Sequence, residues 1–223
     1  MKIENLTPTT TKKINSFWRW FLNHEIEIIK ALLYQENYNE IFTTMNKKLS
    51  FVSKRIGFII KTSNKEKEKF KIIFTAHGNP KLFPKINALE AYAADFFNWT
   101  VESFITPEKD IEQFKKGLDE AYVFQDFELK TSELYFTIID YNIEKKKLNI
   151  IIYLKNYTFH CENDFLEEAV YIVLQEFIGE VALYKNINFV QMGQVPNNNC
   201  KLVHLYELGE YIDKLNEINN KNY

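Results

Sequence analysis

The 223-residue chain is predicted to be an α+β protein, on three observations. Strand-sized apolar runs occur in pairs joined by charged turns, and helix-period stripes separate the pairs. The order strand, strand, helix, strand occurs twice, each time after a helical stretch. Alternation of this kind, without a regular βαβ repeat, points to sheet layers covered by helices.

The first helix is expected over residues 16–33. At 3.6 residues per turn, Phe17, Trp18, Phe21, Leu22, Ile28, Ile29, Leu32 and Leu33 fall on one broad face, with Arg19, Asn23, Glu27 and Lys30 opposite. Trp20 and His24 sit on the edge of that face, one turn apart. Residues 51–61 and 70–77 read as strands joined by the charged turn 62–69. His77-Gly78-Asn79-Pro80 ends the second strand, and Asn79 is placed to cap the next turn of the chain. A helix to about residue 97 carries Leu82, Ile86, Leu89, Ala93 and Phe96, and residues 99–105 alternate as a strand.

Pro107 opens a further helix with Ile111, Phe114 and Leu118 as its stripe, followed by an extended piece over 122–129. Residues 134–141 and 148–155 are the next pair of strands. A helix over 164–178 is capped by Asp164 with Glu167 at the capping-box position, and Gly179 ends it. A strand over 187–192, an asparagine loop at 197–199 and a C-terminal helix over 205–215 close the chain.

These elements form two αββαβ halves, about 16–105 and 107–192, each close to a ferredoxin-like unit. Counting residues 99–105 as a leading strand makes the second half a complete β-α-β-β-α-β. Sliding Ile150 onto Ile72 also places Ile152 on Phe74 and Leu134 on Ile56. That agreement is one of pattern, and internal duplication and chance recurrence both account for it. No Gly/Ser/Pro-rich linker separates the halves, so a single domain over 1–223 is expected.

Composition narrows the function. Net charge is -2, and Arg19 and Arg55 are the only arginines. Lysine cannot supply the planar fork that reads phosphate and guanine edges, so nucleic acid is not the expected partner. No secretory h-region is read at the N-terminus and no apolar run approaches a membrane span, so a cytoplasmic protein without a membrane partner is expected. Cys161 and Cys200 fit no metal or redox spacing, and whether they pair is open. His24, His77, His160 and His204 show no zinc-binding spacing; no metal and no cofactor is expected.

No nucleotide-binding glycine fingerprint is present. The most distinctive string, residues 75–84, is either a strand-to-helix turn or a ligand loop presenting backbone N–H groups beside His77. His160-Cys161 follows a strand in the second half. On an extended chain neighbouring side chains diverge, so those two are not expected to form a nucleophile–base pair. Glu90, mid-helix on an apolar face, is a candidate buried carboxylate. Glu176, three residues before Gly179, is expected to be solvated. Tyr135, Tyr141 and Tyr153 share parity opposite the Leu148, Ile150, Ile152 face, and Phe17-Trp18-Arg19-Trp20-Phe21 carries rings around much of a helix.

Those residues carry a resemblance. The aromatic helix at Phe17-Trp18-Arg19-Trp20-Phe21, the turn Phe74-Thr75-Ala76-His77-Gly78-Asn79 leading to Leu82-Phe83-Pro84, Asn98-Trp99 and the Gly179-Glu180 turn look like a family of uncharacterised bacterial, Bacteroidetes-type α+β proteins. The resemblance implies a fold-sized unit in a bacterial cytoplasm and carries no activity.

The expected function is a non-catalytic interaction module that binds a protein partner, or itself as a homo-oligomer, through aromatic surface at Trp18, Trp20, His24, Tyr135 and Tyr153. The alternative is a small-ligand binder or enzyme with a pocket formed by His77, Gly78, Asn79, Glu90 and His160. A further alternative is RNA stacking on the tyrosine face.

Overall fold

The computed structural model describes residues 6–62, 69–107, 111–124, 127–197 and 202–221. The chain is α+β and divides into two compact units, Met1–Ile105 and Thr106–Tyr223. The charged turn at 63–68, Cys200 and most of the asparagine loop lie outside the described residues.

In the first unit, helix α1 (Pro8–Asn23) starts a full two turns before the predicted boundary. Thr7 caps it through its side chain, and Pro8 occupies a first-turn position where a missing N–H costs nothing. The single predicted helix is broken at His24, beyond which α2 (Glu25–Tyr34) begins. The His24 ring donates from Nδ1 to the Trp20 carbonyl at 2.8 Å, and the backbone there leaves helical geometry. The break changes the apolar face: Ile14, Phe17, Trp18, Trp20 and Phe21 are buried, whereas Leu22 and Leu33 are exposed. Helix α3 (Tyr38–Ser50), unanticipated from the sequence, buries Met45 and Leu49 at i, i+4 spacing.

Strand β1 (Gly57–Thr62) pairs antiparallel with β2 (Phe70–Thr75), setting Phe58 against Phe74 and Ile60 against Ile72. After α4 (Phe83–Ala91), β3 (Trp99–Ser103) returns parallel to β2 with Trp99 opposite Phe70. Residues 99–103 therefore complete the first sheet and do not lead a second one. Central β2 buries residues of both parities, Ile72 and Phe74 on one face and Ile73 and Thr75 on the other, so both of its faces are covered. Phe17 and Trp18 meet Phe74 edge-on at 5.9 and 5.8 Å, and Phe21 meets Trp99 at 5.0 Å.

In the second unit, the predicted helix after Pro107 is one turn, α5 (Glu112–Lys115). Gly117, at φ 65, stops it, which leaves Leu118 exposed. Strands β4 (Tyr122–Phe124) and β5 (Phe127–Leu129) form a small antiparallel pair. The main sheet is built on β6 (Tyr135–Asn142) and β7 (Lys147–Leu154), an antiparallel pair with Phe136 opposite Ile152 and Ile138 opposite Ile150.

A short turn α6 (Tyr157–His160), then α7 (Leu166–Ile178) and α8 (Glu180–Asn186), lead to β8 (Ile187–Gln194), parallel to β7. Asp164 does not cap α7; Phe165 holds the N-cap position, and Asn163 Oδ1 accepts from the Phe165 N–H. Gly179 ends α7 as predicted. Strand β9 (Val203–His204) pairs with β6, and α9 (Leu208–Lys221) runs beyond the predicted end at 215. Phe136, Ile150, Ile152, Val173, Leu174, Leu205 and Leu208 centre the core.

Both units share hairpin, helix and third strand parallel to the second, and the registers agree: Ile60–Ile72–Val101 in one, Ile138–Ile150–Val190 in the other. The parallel strands lie side by side, without the intervening strand that completes a ferredoxin-like sheet. Common topology imposes such registers with or without shared ancestry. No described helix is long and apolar enough to cross a membrane.

Candidate functional site

The turn after β2 bonds several of its polar groups to one another. His77 and Gly78 take positive φ values of 47 and 71. The His77 N–H donates to Thr75 Oγ1 at 3.0 Å, the Asn79 N–H to the Ala76 carbonyl, and Asn79 Oδ1 accepts from the Lys81 N–H at 3.1 Å. The asparagine is therefore the cap of the 3-10 turn Pro80–Leu82. The His77 ring lies over Gly57 of β1, where a methyl group would collide with Nε2. Glu90, read as mid-helix, falls in the last turn of α4 and is exposed, because the helix ends at Ala91 instead of 97. These four residues belong to the first unit and His160 to the second.

The aromatic helix is core. Trp18 and Trp20 are buried, which corrects their reading as surface anchors: Trp18 lies edge-on against Phe74 of β2. Trp18 Nε1 donates to the Leu89 carbonyl at 2.8 Å, and Trp20 stacks on half-buried His24 at 4.9 Å.

On the second sheet, Tyr135 and Tyr153 stand opposite one another as expected, both half-buried. Tyr141 does not join them. A register shift between Ile138 and Asp140 inserts one residue, reverses parity beyond it, and sets Tyr141 opposite Leu148 against the core. Tyr135 instead meets His204 at 4.6 Å, and His204 stacks on Tyr206 at 4.8 Å. Glu176, expected to be solvated, is half-buried and accepts the Tyr122 hydroxyl at 3.2 Å.

His160 and Cys161 lie in and just after the α6 turn, not on an extended strand. Cys161 is exposed, with Sγ 3.5 Å from the Thr158 carbonyl. The His160 ring packs between Phe127, at 5.3 Å, and Phe159, at 4.9 Å and nearly perpendicular. Phe127 continues to Phe124, and Phe124 to Phe165. The result is one chain of rings drawn from β4, β5, α6 and the start of α7. Phe159, at one end of the chain, is 83% exposed, the largest aromatic exposure among the described residues of its unit, and Phe165, at the other end, is 38% exposed.

Sequence reasoning missed this cluster because its rings come from four elements, and no single stretch advertises them. It also missed two acids. Asp119 is buried with Oδ2 accepting from the Ser132 N–H, and Glu180 is fully buried at the start of α8. Among the described residues no group of three or more His, Cys, Asp or Glu side chains is placed to hold a metal. A shallow, solvent-open depression lies between α2 and α3, lined by Gln35, Asn37, Tyr38, Asn39 and Glu40.

No family model, curated protein or solved structure matches the chain.

Proposed function

We propose that the protein is a non-catalytic interaction module that binds a protein partner through the ring cluster around His160. The observation that carries this reading is the exposure of Phe159 on a cluster already ordered by ring-to-ring contacts. Rigid aromatics of this kind lose little entropy on binding and supply most of the affinity at protein interfaces.

Two further observations support the reading. The His77 turn spends Asn79 Oδ1 and the His77 N–H on local bonds, which weighs against a ligand pocket there. The bulge in β6 removes Tyr141 from the tyrosine face, which weighs against base stacking. The setting proposed is bacterial and cytoplasmic, as the family resemblance implies.

The test compares capture from a native lysate by the wild-type chain and by Phe159→Ser. A partner retained by the wild type and lost from the variant supports the reading. A partner captured equally by both, or by neither, counts against it.

A further inference from the structure

Strand β8 ends its sheet: the order β8-β7-β6-β9 leaves its outer side without a strand partner among the described residues. An open edge presents N–H and C=O groups that template further pairing, and proteins usually blunt it with charge, proline or brevity. β8 is eight residues long, Ile187-Asn188-Phe189-Val190-Gln191-Met192-Gly193-Gln194, with no charged residue and no proline. The edges of the first sheet differ, since β1 carries Lys61 and β3 carries Glu102.

In a parallel ladder, alternate residues turn both backbone groups to the same side. The Val195 N–H donates to the Leu154 carbonyl on β7, so Gly193 and Gln191 also face β7, and Val190 and Met192 face outward. The side chains of Val190 and Met192 pack against the core, while Gln191 is exposed and Phe189 is 52% exposed on the other face. The far end of the strand is engaged by α6, where the Thr158 N–H donates to Gln194 Oε1 and Gln194 Nε2 to the Lys155 carbonyl. The free stretch is therefore centred on Gln191.

We infer that β8 pairs antiparallel with β8 of a second copy of this chain, about a two-fold axis at Gln191. Val190 then faces the partner copy's Met192 as a hydrogen-bonded pair, and the two Gln191 residues face each other as a close, non-hydrogen-bonded pair. A two-fold axis makes the donors and acceptors of one strand complementary to themselves. The absence of charge is what allows this, since like charges directly opposite would repel. This contact uses neither Phe159 nor His160 and stands apart from the surface proposed above.

Sedimentation of the full chain tests it, with Gln191→Lys as the disrupting variant and circular dichroism to confirm the fold. In a Cys161→Ser, Cys200→Ser background, Gln191→Cys reports the geometry, because close cross-strand pairs fall within disulfide reach. The expected results are a mass of twice 26.6 kDa, dimerisation weakened about tenfold or more by the facing lysines, and a dimer on non-reducing gels after oxidation of Gln191→Cys. Phe159→Ser leaves the mass unchanged. A wild-type mass that stays at the monomer value throughout the micromolar range overturns the inference. So does a dimer that Gln191→Lys leaves intact and Gln191→Cys fails to cross-link.

Discussion

The Tyr122 hydroxyl donates to Glu176 Oε1 across 3.2 Å, tying β4 to the last turns of α7. Partial burial, and then the neighbouring Glu176 carboxylate, push the Tyr122 phenol up to about 12. Its folded pKa is thus above the unfolded value, so the contribution is present in full below about 10 and is lost as pH rises toward about 12. Because the ring is half exposed, screening holds the effect to about 1 kcal/mol or less. Urea unfolding of wild type and Tyr122→Phe between pH 9 and pH 12 checks this, with the steeper decline expected in the wild type.

Two buried tryptophans of the first unit predict a contrast. Trp18 Nε1 bonds the Leu89 carbonyl, whereas Trp99 Nε1 is buried without a partner among the described residues. Replacing either with Phe removes a similar ring volume, but only Trp18→Phe strands a carbonyl. Trp18→Phe is expected to cost about 1–2 kcal/mol more than Trp99→Phe in chemical denaturation.

Gly179 predicts another. It joins α7 to α8 at φ 78, ψ 148, a region that side-chain-bearing residues scarcely enter. Its N–H closes α7 on Gln175, and its carbonyl accepts from Leu183 in α8. Gly179→Ala is expected to destabilise the protein by about 1–3 kcal/mol, read as a lowered denaturation midpoint.

Phe159→Ser should separate binding from stability. The ring is mostly in water, so the substitution is expected to change stability by less than about 0.5 kcal/mol. Equal denaturation midpoints alongside lost partner capture are the expected pair of results.

Where pattern is local, the residues announced the structure. The hairpins, the alternation of β7 and the stop at Gly179 follow from period-two burial and a glycine-only backbone. Where the outcome depends on competition or on distant elements, they did not. The chain leaves helical geometry at His24 although the apolar stripe runs straight through it, and the His24 ring bonds a carbonyl one turn back. One extra residue near Ile139 turns Tyr141 inward, and parity counting cannot register an insertion. Trp18 and Trp20 carry the same residue types in a core as on an interface, so only the packing of α1 decides between them. The cluster at His160 is assembled from β4, β5, α6 and the start of α7, which no window of sequence contains.

The most direct measurement is amide hydrogen exchange of the protein with and without the partner it captures. Binding through the ring cluster predicts slowed exchange concentrated in residues 122–129 and 157–166, around Phe124, Phe127, Phe159, His160 and Phe165. Unchanged exchange there, with protection elsewhere such as the α2–α3 depression, would contradict it.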